Sequence, residues 1–535
     1  MLTENISDIL ELTAKLMELH GENPFKIKAI SSAAYRISKM NIDLTGKSIE
    51  ELESIEGIGK GIASKISELN QTGITRELQG LLEKTPKGLL DVLRVKGLGP
   101  KKVGLLWKEL QIETVGELLY ACNENRLIKL KGFGIKTQDE IKKSIEFLSS
   151  NKGKHHYAYA KIYADEFIQL VKQLFPEALI SITGELYRKT EVIDVIDILT
   201  EESISDKVED WAKQQPYPFK IHVSQANEFQ YNLVKSSSTE EHLQAIGFHE
   251  LKIKNHSSEE DVYRNLNVVY FPPELREGLW EKDYINKQHN FKLIEMPDLK
   301  GCLHNHSTYS DGLNSIEEMA NECINLGLNY FGICDHSQSA VYANGLKPES
   351  VLMQHEEIDQ LNKKLFPFRI LKGIESDILS DGSLDYDEEI LKRFDFVVAS
   401  IHQGFKMDEE KATARIIKAI ENPYTKILGH PTGRLLLSRP GYPINHKKII
   451  DACAANQVSI ELNAHPYRLD IDWRWIPYCM EKKVMISINP DAHAISGITD
   501  MQYGVYAARK GMLNKEFCLN ALSLNELINF FGAKI

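Results

Sequence analysis

The chain has 535 residues, a formal net charge of −12 and 42% apolar residues. That length asks for about two to four domains with sizeable cores. The acidic balance excludes a generic polyanion binder, so any contact with nucleic acid has to be local. No apolar run nears the roughly 20 residues of a membrane span. The seven cysteines form no Cys-x-x-Cys pair, and Met1-Leu2-Thr3-Glu4 opens without a leader pattern. A reducing cytoplasm is therefore expected.

From Ile6 to about Leu148, apolar residues recur at three- and four-residue spacing, which predicts helices. Within this region one turn repeats three times. Gly57-Ile58-Gly59-Lys60 precedes an apolar-periodic run to Ile66, with Lys65 inside it. Gly97-Leu98-Gly99-Pro100-Lys101 precedes a second run, and Gly132-Phe133-Gly134-Ile135-Lys136 a third. Glycine lets the backbone turn tightly and come close to a ligand. Amides at the start of the following helix can bind a phosphate oxygen. Repetition at about 35 to 40 residues strengthens the reading. These turns resemble the helix-hairpin-helix motif of DNA repair proteins and polymerases. The resemblance implies contact with the sugar-phosphate backbone, independent of sequence, through Gly57, Gly59, Lys60, Lys65, Gly97, Gly99, Lys101, Gly132, Gly134 and Lys136. Lys65 also matches a lysine that forms a Schiff base with abasic-site deoxyribose in family X polymerases. The ordinary helix lysine is the favoured reading, because Ser31-Ser32 stands where bacterial members have arginines.

Residues 156–295 resemble the palm of bacterial family X DNA polymerases, with its metal site degraded. Ile182-Thr183-Gly184-Glu185-Leu186-Tyr187-Arg188 occupies the triphosphate-loop position, Gly184 and Arg188 matching and Glu185 replacing a serine. The family's Asp-x-Asp reads Val195-x-Asp197 here. Asp194 is adjacent but faces away on a regular strand. A third acid falls on Lys220. Two-metal phosphoryl transfer needs those carboxylates, so magnesium is not expected at this palm and polymerisation is expected to be weak or lost.

From about residue 298 the pattern changes to seven short β-prone runs separated by helix-length segments, as in Ile316–Leu326 and Glu410–Ile420. The runs lie at 301–303, 330–334, 369–374, 394–399, 427–429, 458–462 and 484–488. Such alternation predicts a parallel α/β layout. In a βα barrel the late ends of the strands converge on one face. Here nearly all of them carry a ligand-type residue: His304, His306, Asp311, His336, Glu375, His402, His430, Asp491 and His493. His304 and His306 share a face if extended. Imidazoles with carboxylates suit zinc, manganese or iron.

This segment resembles the PHP (polymerase and histidinol phosphatase) superfamily, whose fold is a distorted seven-stranded βα barrel. The resemblance implies three divalent metals: His304, His306, Glu375 and Asp491 on one, Glu375, His402 and His430 on a second, and Asp311, His336 and His493 on a third. Three acids offset only half of that charge, leaving a positive pocket for phosphate. Divalent ions there would make water a competent nucleophile near neutral pH. Arg434 and Arg468, the latter with Asp470, are candidate phosphate groups beside Glu375, with structural salt bridges the equal alternative. Asp335 and Ser400 are candidate anchors for imidazole N–H groups.

The expected architecture is thus multi-domain α and α/β. A helix-hairpin-helix module spans 1–150, a nucleotidyltransferase-like α+β palm and linker 156–295, and a PHP-type (β/α)7 barrel 298–535. The expected activity is that of a DNA-repair phosphodiesterase working 3′→5′ on gapped DNA or 3′ ends, without a membrane partner. The rival readings are a histidinol-phosphatase-like enzyme, a polymerase with an unusual palm and a DNA-binding scaffold. The sequence does not address oligomeric state.

Overall fold

The computed structural model describes residues 6–39, 44–55, 57–150, 153–215, 217–252, 255–285 and 291–532. Met1–Glu4, on which the leader reading rests, lie outside them. The chain divides into two compact units, Met1–Cys122 with Arg126–Ile145, and Asn123–Asn125 with Glu146–Ile535.

The first unit is helical throughout its described residues. Leu10, Leu16, Met17, Leu52, Ala63, Ile66, Val103, Leu106 and Leu118 supply its core. Their three- and four-residue spacing turns one stripe of each helix inward. Ser48 and Glu51 cap the helix Ile49–Glu53 reciprocally. The helices Lys60–Thr72 and Pro100–Leu110 instead start at Gly59 and Gly99, with no side-chain cap.

The second unit opens with the palm-like part. Its strands are β1 His155–His156, β2 Ile180–Ile182, β3 Val192–Ile193, β4 Ile196–Glu201 and β5 Phe219–Ser224. β1 pairs with β3, and β2, β4 and β5 form a three-stranded sheet in that order. The helix Tyr157–Leu174 buries Ala160, Ala164, Phe167 and Val171 in the same apolar cluster as Ile180, Ile196 and Ile198.

The barrel follows as β6 Gly301–Cys302, β7 Tyr330–Ile333, β8 Arg369–Asp377, β9 Phe396–Ser400, β10 Thr425–Leu428, β11 Ser459–Asn463 and β12 Ile486–Asn489. All seven expected strands form, in sequential order and with every pairing parallel. A parallel bridge between Asn305 and Ala492 links the chain beyond β6 to the chain beyond β12, nearly closing the barrel. Helices cover the outside, which is why the strands read as apolar runs rather than alternating ones. The two expected helices are Ile316–Asn325 and Glu409–Ile420, capped by Ser315 and Asp408.

One end of the barrel is filled by Leu303, Tyr330, Leu371, Phe396 and Ile427, mostly from the early parts of strands. Leu527 and Phe531 of the helix Leu524–Phe531 pack against them, the rings of Phe396 and Phe531 stacked with centroids 5.1 Å apart. A Cβ on Gly332 or Gly373 would lie 2.7 or 2.5 Å from the Phe396 ring. Those glycines therefore make room for the plug. The opposite end, at the late ends of the strands, stays polar.

Palm and barrel share the second unit and are tied by polar contacts. The indole of Trp473 donates to Glu191 at 2.8 Å, and Lys510, 1% exposed, donates to Glu277 at 2.6 Å and to the carbonyl of Arg188 at 3.1 Å. Arg509 and Lys189 both pair with Glu274, at 2.9 and 2.5 Å.

Candidate metal centre

The extended stretch after β6 delivers His304 and His306 to the polar end of the barrel, as the i, i+2 spacing predicts. β7 delivers His336, β9 His402, β10 His430, and the chain after β12 Asp491 and His493. Glu375 lies within β8, which runs three residues beyond the expected end at 374. Asp311 comes from the turn after His306, whose tightness needs Gly312: a Cβ there would lie 2.6 Å from the carbonyl of His306.

Glu375 is the hub. Its Oε1 lies 2.9 Å from His430 Nε2, 3.1 Å from His402 Nε2 and 3.4 Å from His304 Nε2. Its Oε2 lies 2.9 Å from His336 Nδ1 and 3.7 Å from His306 Nε2. Asp491 Oδ1 is 2.9 Å from His306 Nε2 and 3.6 Å from His304 Nε2. Asp311 is within 3.4 Å of His493, 3.6 Å of His336 and 3.8 Å of His306. Three groups have ligand atoms all within 4.8 Å of one another: His306, Asp311, His336 and His493; His304, His306 and Asp491; His336, Glu375 and His402. These groups overlap the expected sets without reproducing them: His306 and His336 each serve two groups, Glu375 groups with His336 and His402 rather than with His304, and His430 belongs to none.

The nine side chains are almost entirely buried, so their charges have to balance locally. Burial would raise the carboxyls of Glu375 and Asp491, yet the surrounding imidazoles hold both well below the usual range. Burial likewise opposes charge on His402 and His493, but Glu375 and Asp377 push the first up to about 10, and Asp311 the second up to about 9. His306 goes down to about 3, through burial and the neighbouring His493 and His336.

Whether these residues fit a metal is answered by their unused atoms. His304 Nε2, His306 Nδ1, both nitrogens of His336, Asp311 Oδ2, Glu375 Oε2, His430 Nδ1 and His493 Nε2 are buried without a hydrogen-bond partner. Buried polar atoms left so cost free energy, about 1–3 kcal/mol each. Nitrogen and carboxylate donors crowded at one polar barrel end fit divalent cations.

Several expectations are corrected. Asp335 anchors no imidazole: it accepts from the amides and hydroxyls of Ser307 and Ser310 and from Gln354, and so fixes the turn carrying His306 and Asp311. The hydroxyl of Ser400 has no hydrogen-bond partner. All three guanidinium nitrogens of Arg434 are engaged, with Asp472 at 2.8 Å and the carbonyls of Arg468 and Leu469, which is the structural alternative for that residue. Arg468 is buried in the same loop, where Asp470 accepts from the amide and hydroxyl of Thr432. Two acids were missed, Glu461 and Asp377, which touch His304 and His402.

In the helical unit the three glycine turns share one geometry. Gly57, Gly97 and Gly132 have φ of 91°, 89° and 91°. The amides of Ile58, Leu98 and Phe133 close each turn onto Ile55, Val95 and Leu130 at 3.0–3.1 Å. Ile58, Leu98 and Phe133 are buried. Gly59, Gly99 and Gly134 face open space, and Lys60, Lys101 and Lys136 are exposed beside them. Lys65 is ion-paired to Glu77, which also meets Lys26 at 3.4 Å. An amine held by a carboxylate is a poor Schiff-base nucleophile.

The palm positions singled out in the sequence each meet other groups of the chain. Asp197, 8% exposed, pairs with His222 at 2.7 Å, a partner the sequence reading passed over. Asp194 pairs with Lys154 at 2.9 Å, and the Glu185 carboxylate accepts from the Asp194 amide. Asp197 stands opposite Lys220 in the register of β4 and β5. Gly184, at φ 63°, would put a Cβ 2.4 Å from Asp197 Oδ2. Arg188 turns to Glu277 and the carbonyl of Ser237.

Barrel and buried cluster together define a PHP-type metallophosphoesterase that carries a helix-hairpin-helix module on the same chain. Residues 303–465 match the PHP domain, residues 1–74 the helix-hairpin-helix domain and residues 89–146 the SAM-like helix-hairpin-helix tandem. The chain is 34% identical, over 98% of its length and 99% of the relative's, to the DNA polymerase/3'-5' exonuclease PolX of Bacillus subtilis. It therefore belongs to the PolX family. Other relatives match a smaller share of the chain. A probable phosphatase of Acetivibrio thermocellus is 32% identical over 31% of this chain and 65% of that protein. One of Thermoanaerobacter sp. is 29% identical over 41% of this chain and 88% of that protein. Among the described residues no helix is long and apolar enough to cross a membrane.

Proposed function

We propose that this chain is a metal-dependent 3′→5′ exonuclease of the PolX type, acting in DNA repair. Its helical unit holds the sugar-phosphate backbone, and its barrel hydrolyses the phosphodiester. The observation that carries the reading is the set of buried, hydrogen-bond-free nitrogen and oxygen atoms around Glu375, on a chain that also carries three glycine turns of one geometry. The substrates it fits are 3′ ends and gapped duplexes.

In this reading His304, His306, Glu375 and Asp491 hold one cation, Glu375, His402 and His430 a second, and Asp311, His336 and His493 a third, with manganese or zinc preferred over iron. Bound divalent cations supply Lewis acidity, activating water and spreading charge over the phosphoryl oxygens. The chain's own part is orientation. Glu375 sets five imidazoles around one point, and Asp335 fixes the turn that carries Asp311. The amides in the first turns of the helices after Gly59, Gly99 and Gly134, beginning at Lys101 in the second because Pro100 has no N–H, bind phosphate oxygens and fix the strand's path without reading bases. The pairing of Asp197 with His222 and Asp194 with Lys154 supports a palm that serves as a folded support for the barrel, with little or no polymerisation.

A 3′-labelled oligonucleotide and a phosphomonoester, each incubated with the protein and Mn²⁺, test the assignment. Mononucleotides released from the 3′ end are expected. Hydrolysis of the monoester alone would replace the exonuclease with a small-molecule phosphatase, the activity named for the shorter relatives. Primer extension by a His304→Ala/His306→Ala variant would restore the polymerase reading.

A further inference from the structure

Six of the seven barrel strands lead into a member of the nine-residue cluster, and β11 does not. What β11 offers instead is Glu461, fully buried, with Ser459 and Asn463 on the same face of the strand. Glu461 Oε2 accepts from His304 Nδ1 at 2.7 Å and from the Asn489 amide at 3.0 Å. Its Oε1 accepts from the backbone amide of His430 at 3.1 Å and from Asn463 at 3.3 Å. Asn463 donates onward to Asp491 Oδ2 at 3.1 Å. One carboxylate thus reaches cluster members from three different strand ends. On the other side, Asp377 Oδ1 meets His402 Nδ1 at 2.5 Å, while its Oδ2 accepts from Ser339 at 2.8 Å.

We infer that Glu461 and Asp377 are positioning residues of the metal centre, fixing the ring orientation and tautomer of His304 and His402 so that both present Nε2 to the cations. The inference rests on the ligand set proposed above. An ionised carboxylate only accepts hydrogen bonds, so each ring must donate from Nδ1 and keep its Nε2 lone pair for a metal. Both Nε2 atoms converge on the same oxygen, Glu375 Oε1, at 3.4 and 3.1 Å. His304 Nε2 has no hydrogen-bond partner there. Neither acid points its own oxygens at the cluster's centre, since all four are occupied by ring, amide or hydroxyl donors. Carboxylates placed behind metal-binding imidazoles are worth about 10–100-fold in metal affinity.

Glu461→Gln and Asp377→Asn keep the side-chain shape but replace one acceptor oxygen with an NH₂ group that faces donors. Chelator-treated parent and variants are titrated with Mn²⁺ at a temperature where circular dichroism shows each one folded, and bound metal is measured directly. The parent is expected to retain Mn²⁺, and each variant to bind it about 10–100-fold more weakly, with oligonucleotide cleavage returning toward the parental rate as Mn²⁺ is raised. Equal Mn²⁺ affinity in both variants and the parent would overturn the inference while leaving the exonuclease reading intact. A parent that retains no metal would instead bring down the exonuclease reading itself. If Glu461→Gln does not fold, Asp377→Asn decides alone, because its hydrogen bonds are separate from those of Glu461.

Discussion

Glu375 is the one side chain that all the proposed cation positions depend on, directly or through a shared imidazole, because five rings lie within 3.7 Å of its two oxygens. Glu375→Gln keeps the volume, removes the charge and turns one oxygen into a donor facing imidazoles. Changing groups behind the ligands costs up to about 100-fold, so losing this central carboxylate should lower cleavage more than about 100-fold, read as single-turnover release from a 3′-labelled strand at saturating Mn²⁺. Most of the cluster residues were legible because they closely follow an apolar run, and a barrel has only one face on which late strand ends can meet; Asp311 was legible only through its place in the turn that follows His304 and His306. Glu461 and Asp377 lacked that signature. A weaker one was present: Asp377 is two residues from Glu375, and Ser459, Glu461 and Asn463 alternate through a strand whose other residues are apolar. A polar period of two inside a buried strand marks a face turned toward something polar.

At the scale of elements, the glycine turns and the strands were read from local rules, and local geometry returned them. Positive φ at Gly57, Gly97 and Gly132 is a backbone demand that a side chain resists, by about 1–2 kcal/mol. Gly99, with φ −89°, faces open space and makes no such demand. Gly99→Ala should therefore leave the melting temperature within a degree or two, yet weaken DNA binding several-fold by placing a methyl where a phosphate approaches. Lys101→Ala should weaken binding alike on every sequence and reduce the slope of log affinity against log salt by about 1; fluorescence anisotropy with two unrelated duplexes checks both. Where β1 leads into the helix Tyr157–Leu174, His156 shares a hydrogen bond with the carbonyl of Leu436 at 3.0 Å, which ties palm to barrel. Burial pushes its pKa down to about 4 from an ordinary 6.5. The unfolded chain then takes up the proton first, so this stabilisation is complete above about pH 6.5 and is lost as the pH falls toward 4. Melting temperature should fall less steeply over that window in His156→Gln than in the parent.

At the scale of the molecule, the sequence suggested three domains, but palm and barrel fold as one unit. The contacts that join them, Trp473 with Glu191 and Lys510 with Glu277, link residues more than 200 positions apart and follow no spacing rule. Arg188 belongs to the same seam: its guanidinium neighbours Glu277, and its carbonyl receives Lys510. The helical unit draws on different chemistry. Its turns offer backbone amides and lysines and contain none of the nine cluster residues, and all three candidate metal groups among the described residues lie in the barrel. Holding DNA and cutting it should therefore respond to different variables. Phosphate contacts made by lysines release counterions and weaken as salt rises, whereas hydrolysis depends on divalent cations that a chelator removes. EDTA treatment followed by dialysis should abolish release from a 3′-labelled strand while leaving the affinity for a duplex in monovalent salt, and its salt slope, unchanged. Added Mn²⁺ should restore cleavage alone. Loss of duplex affinity together with cleavage would mean that the barrel's cations, rather than the glycine turns, carry the grip on DNA.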